Sequence, residues 1–231
     1  MVTVELPGGA RARFTGRAEG DLGHSGEYVT EVAPQVAAWR SKVLDLPWTW
    51  LRQVHGEGVV VVEGPGEGAG TRADAAVTAV PGCALAVLTA DCAPVAVASP
   101  EGVLGAVHVG WKGLEAGVLE RTLEAMGALG ASTFTAALGP CIGPECYEFG
   151  EDDLERIAAR VAPEVRARTA TDRPAFDLAA GVRAVLGREG VALCAVSRCT
   201  ACSGTGRGRS ADYFSWRARK ERQRQAVVVW R

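Results

Sequence analysis

Three short apolar runs, Ala84 to Leu88, Val95 to Ala98 and Val103 to Val107, constrain this chain more than any other feature. Each is β-branched in part and bounded by turn residues. With no polar alternation, they read as strands buried on both faces. Around them, residues 2–6 and 10–14 read as strands joined by the turn Pro7-Gly8-Gly9. Trp48 to Val54, Val59 to Val62, Phe134 to Leu138, Val191 to Val196 and Ala226 to Trp230 read as further strands. Apolar residues at helical spacing predict a helix over Glu27 to Leu44, with Pro34 a kink or restart. A second spans Leu114 to Leu129, with Leu114, Val118, Leu119, Leu123 and Met126 on one side. Asp152 to Val161 and Asp177 to Leu186 read as helices, each opened by an acidic residue in cap position. Gly20 to Gly26 and Gly64 to Gly70 read as loops. Strands interleaved with helices make an α/β chain. No repeat or linker divides it, so one domain over 1–231 is expected.

Net charge is -2, which leaves no global basic field for nucleic acid or a membrane surface. The one basic run, Arg217 to Arg224, reads as a solvated face whose last arginine could point into a site. No apolar stretch reaches the roughly 18–20 residues of a membrane span. The opening segment Met1 to Pro7 lacks the charged and apolar regions of a signal peptide. Seven cysteines form an odd set without a small-scaffold framework, so a cytoplasmic protein with reduced thiols is expected.

His55, Cys92 and His108 carry the chemistry. They lie in Arg52-Gln53-Val54-His55-Gly56, Thr89-Ala90-Asp91-Cys92-Ala93-Pro94 and Ala106-Val107-His108-Val109-Gly110-Trp111-Lys112-Gly113. Imidazole and thiolate are donors that zinc prefers, and three protein donors leave a fourth position for water or substrate. All three fall at predicted strand ends beside glycine loops, where α/β folds place sites. The spacing alone does not prove a shared site. His55 could be a turn histidine, Cys92 a small buried residue and His108 a packing residue. Cys92 with His108 could also be a nucleophile and its base, with no metal. Asp91 and Asp74 each have two functional readings: orienting a ligand histidine, or moving a proton. Each could equally be a turn residue.

Trp111 and Lys112 suit a base-and-phosphate substrate, or core packing and a solvated cation. The rigid stretch Gly139 to Glu148 could wall a pocket or be a tight connection. Cys199-Thr200-Ala201-Cys202 has no second CxxC and reads as structural. The glycines from Gly204 to Gly208 do not run from a strand into a helix, so they are a flexible loop rather than a dinucleotide fingerprint.

Together these words resemble the YfiH-like family, also called the laccase-domain or polyphenol oxidase family. The matching stretches are Gln53-Val54-His55-Gly56, Ala73-Asp74-Ala75, Thr89 to Val95, Val107 to Gly113 and Leu138 to Pro144. Tyr147 to Gly150, Cys199-Thr200 and Phe214 to Arg217 match too. They keep the family's order over about residues 50 to 230. The resemblance implies a single-domain α/β layered sandwich with mixed β-sheets flanked by helices, and a zinc on His55, Cys92 and His108. It also implies phosphorolysis of adenosine, inosine, guanosine and methylthioadenosine, and deamination of adenosine. Older family labels name a copper-dependent phenol oxidase, and some bacterial members are linked to peptidoglycan-precursor editing.

Multicopper oxidation needs many histidines, and this chain has three, so zinc is preferred over copper. Expected partners are a purine nucleoside and phosphate, with the oligomeric state open. Asp91 and Cys92 are the expected catalytic residues. Gln53, Trp111, Lys112, Cys141, Arg17 and Arg224 are the expected substrate-binding residues, with Lys112, Arg17 or Arg224 as phosphate anchor. The chain departs from the family near its start, where members carry Thr-x-Arg-x-Gly-Gly, a loop and then Asn-Leu-Gly. Here Thr15-Gly16-Arg17-Ala18-Glu19-Gly20 runs straight into Asp21-Leu22-Gly23. That loop is missing; if it helps cover the substrate, specificity or turnover differs, and the departure bears on Arg17 more than on the metal trio.

Overall fold

The computed structural model describes residues 1–23, 32–195, 198–205 and 211–231. In chain order the strands and helices are β1 (Val2–Glu5), β2 (Arg11–Phe14), α1 (Pro34–Val43), β3 (Trp48–Arg52), β4 (Val59–Val61), β5 (Thr71–Arg72), β6 (Ala75–Thr78) and β7 (Ala84–Thr89). Then come β8 (Ala93–Ala98), β9 (Leu104–Val109), α2 (Trp111–Ala116), α3 (Val118–Ala128), β10 (Thr135–Leu138), α4 (Glu151–Arg160), β11 (Arg166–Arg168) and β12 (Pro174–Phe176). The last are α5 (Leu178–Arg188), β13 (Ala192–Ala195), α6 (Trp216–Arg219) and β14 (Gln225–Trp230). Two six-stranded sheets form, ordered β1-β2-β14-β7-β3-β5 and β13-β10-β8-β9-β6-β4, and β11 pairs with β12 as a small hairpin. Both large sheets are mixed: β3 runs parallel to β7 and β4 to β6, while β8 and β9 are antiparallel.

The three apolar runs become β7, β8 and β9, every residue of which is buried. Side chains alternate between faces along a strand. In β8 and β9, Val95, Val97, Val107 and Val109 face the helical layer with Val118, Leu119 and Met126 of α3 and Val182 and Val185 of α5. Their neighbours Ala96, Ala98, Leu104 and Ala106 enter the layer between the sheets, with Leu85, Val87, Val227, Val229 and Phe14 of the other sheet. On that sheet's far side Ala84, Ala86, Leu88 and Val228 pack with Leu22 and Val43. Each strand thus serves two cores, which is why it shows no polar alternation. The result is the layered mixed-sheet sandwich expected. Among the described residues no helix is long and apolar enough to cross a membrane.

Several predicted boundaries move for local reasons. The helix expected from Glu27 begins at Pro34, whose fixed φ and missing N–H suit the first helical position; residues 24–31 lie outside the described part. The helix expected over Leu114 to Leu129 is two, broken at Gly117, whose φ of 98° is left-handed. Asp177 caps α5 by accepting from the Ala180 amide, as expected. Asp152 is no cap: α4 is capped by Gly150, and Asp152 sits in its first turn. β6 was not expected, because its first half, Ala75-Ala76, lacks β propensity and leaves only two β-branched residues, and neither were β5, β11 and β12. β9 runs to Val109 and so contains His108.

One topological feature builds the site. The chain passes from the first sheet to the second three times at one end of the sandwich: from β3 to β4, from β5 to β6 and from β7 to β8. Those crossings carry His55, Asp74 and Cys92. Ala75 pairs with Val107, and Pro94 with His108, so the starts of β6 and β8 flank the end of β9.

Candidate metal centre

The donor atoms of His55, Cys92 and His108 all lie within 4.8 Å of one another. His55 Nε2 is 3.7 Å from Cys92 Sγ, and the two imidazoles meet edge to face with centroids 4.9 Å apart. β3 stops at Arg52, short of the predicted Val54, because the Gln53 side chain takes over the ladder. Its amide donates to Leu88 O at 2.6 Å and its carbonyl accepts from Leu88 N at 2.8 Å. His55 then sits in a turn with a φ of 60°. A non-glycine residue there costs about 1–3 kcal/mol, so the surroundings must enforce it.

Asp74 enforces it. This fully buried carboxylate accepts three amides of that turn, from Val54 at 3.2 Å, His55 at 2.9 Å and Gly56 at 2.8 Å. Its Oδ1 also lies 2.8 Å from His108 Nδ1, which leaves His108 Nε2 as the free donor of that ring. One carboxylate therefore orients both histidines, one through its backbone and one through its ring. Burial pushes the Asp74 pKa up, but the hydrogen bonds from His108, Gly56 and His55 outweigh it and hold the group below its ordinary value. Burial likewise opposes charge on Cys92 and His108, yet each favours the charged form of the other. The thiol is drawn down to about 6 and the imidazole up to about 9. A thiolate facing two imidazoles is a donor set that suits a borderline divalent metal, with one side open.

Gly110 closes the back of the trio. A Cβ on it would meet His55 Cδ2 at 2.7 Å and Cys92 Sγ at 3.4 Å, and its φ of -88° imposes no glycine requirement of its own. Gly110→Ala is therefore expected to push the His55 ring out of register. Metal affinity should drop about tenfold or more, the scale of losing a supporting contact, with little change in melting temperature. A competition titration against a zinc indicator measures it.

An open cavity of about 750 Å³ borders the trio. Of the expected residues, Gln53, Asp91, Trp111 and Arg224 line it, although the Gln53 amide is occupied by Leu88. Asp91 has a φ of 93°; its carboxylate accepts from Thr200 Oγ1 at 2.7 Å and from the Arg217 amide at 2.6 Å. The structure does not bring Lys112, Arg17 or Cys141 into the lining. Lys112 lies over the Trp111 ring, and Cys141 is buried in the helical-side core beside Cys199. Arg17 pairs with Glu221 and stacks on Phe214, borne on a turn that Glu19 closes by accepting the Gly16 amide. Asp21 accepts the Arg224 amide at 2.9 Å.

The solvated-face reading of Arg217 to Arg224 needs correction. Arg217, Arg222 and Arg224 line the cavity, together with Arg52 and Arg72. The turn after α6, where Lys220 has a left-handed φ of 57°, folds the run back over the site. Tyr147 also lines the cavity, under the Arg217 guanidinium at 4.8 Å. The signals for these residues were the Tyr147-Glu148-Phe149-Gly150 word and the density of arginine behind Trp216. Thr89, at the cavity wall, holds a buried hydroxyl without a partner among the described residues.

A layered mixed-sheet protein with an open His–Cys–His centre at its sheet crossings is a defined class. The chain belongs to the multi-copper polyphenol oxidoreductase laccase family, whose model matches residues 18–231. It is 45% identical over 186 residues to a purine nucleoside phosphorylase of Streptomyces coelicolor, covering 78% of this chain and 74% of that one. A purine nucleoside phosphorylase of Mycobacterium tuberculosis is 36% identical over 220 residues, 91% of this chain and 85% of that one. Among solved structures, a Neisseria meningitidis protein of the DUF152 family superposes with a TM-score of 0.79 at 28% identity, over 99% and 98% of the two chains. The YfiH protein of Bacillus licheniformis superposes with a TM-score of 0.77 at 22% identity, over 96% and 92%, and shares the fold.

Proposed function

We infer that the protein is a zinc-dependent purine nucleoside enzyme that phosphorolyses adenosine, inosine, guanosine or methylthioadenosine and deaminates adenosine. The observation that carries this reading is the open His55–Cys92–His108 centre facing a cavity rimmed by aromatic and arginine side chains. The relatives named as purine nucleoside phosphorylases support it. Zinc bound by the three donors supplies Lewis acidity and an acidified water. Trp111 and Tyr147 offer faces for the purine base. The guanidinium groups of Arg72 and Arg222 line the cavity and make no hydrogen bond or ion pair with the described residues, which suits them to an incoming phosphate. Arg217 and Arg224 are partly spent on backbone carbonyls, Glu148 O for the first and Glu221 O, Arg222 O and Gln223 O for the second. Asp91 is the proton-transfer residue. Each of its oxygens accepts one hydrogen bond, which fixes the carboxylate, and each keeps further acceptor capacity where Asp91 lines the cavity.

Arg72→Ala with Arg222→Ala is expected to raise the KM for phosphate about a hundredfold or more, since each hydrogen bond to a charged group contributes about 1.5–3 kcal/mol and about 1.4 kcal/mol is tenfold. The KM for nucleoside should stay close to that of the parent. Initial rates at varied phosphate check both.

The direct test is adenosine with zinc-loaded protein, with and without phosphate, products separated by chromatography. Adenine formed only with phosphate is expected, and inosine in either tube marks deamination. Unchanged adenosine in both overturns the reading. The acidified Cys92 thiol, 3.7 Å from an imidazole, favours one rival, a cysteine hydrolase acting on peptidoglycan precursors. A chelator separates the two, because it stops the zinc enzyme and spares a thiol enzyme.

A further inference from the structure

The CxxC at Cys199 and Cys202 has no second pair in the sequence, but the fold supplies its partners. Donor atoms of Glu145, Cys146, Cys199 and Cys202 all lie within 4.8 Å of one another. The first two come from the single turn Pro144–Cys146 that follows β10, and the last two from the turn Cys199 to Ser203. The turns are already aligned. Cys141 and Cys199 form a parallel bridge, Cys141 N donates to Arg198 O at 3.2 Å, and Thr200 N donates to Cys141 O at 3.0 Å. The Gly143 amide points at Cys199 Sγ, 3.2 Å away, and Cys202 Sγ lies 3.3 Å from Glu145 Oε1.

We propose that Glu145, Cys146, Cys199 and Cys202 form a second, structural zinc site, distinct from the His55–Cys92–His108 centre. Tetrahedral zinc with bonds of about 2.3 Å to sulfur holds its donors about 3.8 Å apart, so a small contraction of this cluster closes around the ion. Four protein donors saturate the metal, and a saturated site does structural rather than catalytic work. Three thiolates and a carboxylate favour zinc over harder ions such as magnesium or calcium. The Gly143 amide aimed at Cys199 Sγ is the kind of hydrogen bond that steadies a metal thiolate. The cluster is half exposed, so the metal can enter without unfolding the core.

The position gives the site a task. Thr200, between the two CxxC cysteines, donates to Asp91, and Tyr147 follows Cys146 directly and lines the cavity. Arg219 reaches the same turn, donating to Ala201 O at 2.7 Å and Thr200 O at 3.2 Å. A metal here staples the two turns together behind the wall of the catalytic cavity.

The test is metal stoichiometry of the full chain, purified with reductant and exposed to zinc, then measured by elemental mass spectrometry. The expected contents are two zinc ions per chain in the parent, one in Cys92→Ala and one in Cys199→Ser with Cys202→Ser. Cobalt guards against a variant that fails to fold. In Cys92→Ala the three remaining cluster thiolates should give an intense sulfur-to-cobalt charge-transfer band, which Cys202→Ser weakens. Zinc should also raise the melting temperature of Cys92→Ala. A Cys92→Ala protein that is folded yet binds neither zinc nor cobalt overturns the proposal. So does a Cys199–Cys202 disulfide that persists in the reductant-treated protein.

Discussion

On the proposed function, a Cys92→Ala protein is expected to lose the metal of the His55–Cys92–His108 centre, with nucleoside turnover falling by about 10³-fold or more. Cys92 supplies the only anionic donor of the three, and the two imidazoles around it outweigh burial and draw the thiol down to about 6, ready to bind as thiolate. Without it two imidazoles remain, one of them exposed. Loss of a Lewis acid removes several kcal/mol of transition-state stabilisation, and each 1.36 kcal/mol is tenfold in rate. The side chain is small and sits just before β8, so the fold should survive, with far-UV dichroism matching the parent. Metal content and adenosine phosphorolysis, measured on the same preparation, check the outcome. Parent-level turnover in metal-free Cys92→Ala would falsify both the metal reading and the thiol rival. Activity that disappears in Cys92→Ala but resists exhaustive chelation of the parent selects the thiol.

What the sequence made legible follows from the range over which each signal acts. β7, β8 and β9 were readable because burial on both faces writes an unbroken apolar run. Asp177 was readable as a cap because capping is local. β6 was not, since alanine packs between sheets without β propensity, as Ala76 does. The break at Gly117 was hidden because the apolar spacing continues across it and only the left-handed φ betrays it. In the site, residue type picked out His55, Cys92 and His108, but their meeting depends on three crossings between sheets, which no local window contains. The same limit hid the arginines. Arg72 and Arg222 are far apart in sequence and line one cavity only because β5 and the segment before β14 end at the same side of the sandwich. It also hid the donors that complete the CxxC, because Glu145 and Cys146 lie on a separate turn. Asp74 and Asp91 looked equivalent in sequence. Their surroundings separate them, since Asp74 takes histidine ring and turn amides while Asp91 takes Thr200 and the start of α6.

That separation makes Asp74→Asn the most informative conservative change in the molecule. The substitution keeps shape and volume and replaces one acceptor oxygen by an NH₂ donor. Oδ1 now faces the His55 amide and the His108 ring, and Oδ2 faces the Val54 and Gly56 amides. Either orientation of the new amide therefore sets its donor against two donors. A buried donor left unpaired costs about 1–3 kcal/mol, and breaking a buried charged pair about 3–5 kcal/mol, so a loss near 3 kcal/mol is expected. The melting temperature should fall accordingly. The left-handed turn at His55 loses the contacts that enforce it, and the His108 ring loses the partner that fixes its tautomer. Zinc affinity should drop about 10–100-fold, the usual cost of removing a partner behind a ligand histidine. Excess zinc should then recover part of the activity, because the three ligands are intact and only their orientation is impaired. Asp91→Asn should behave otherwise: if Asp91 moves a proton, turnover falls while zinc affinity stays at the parent value. Measuring zinc affinity and turnover for the two variants side by side assigns the orienting carboxylate and the proton-transfer carboxylate separately. A normal zinc affinity in Asp74→Asn would remove Asp74 from the orienting role.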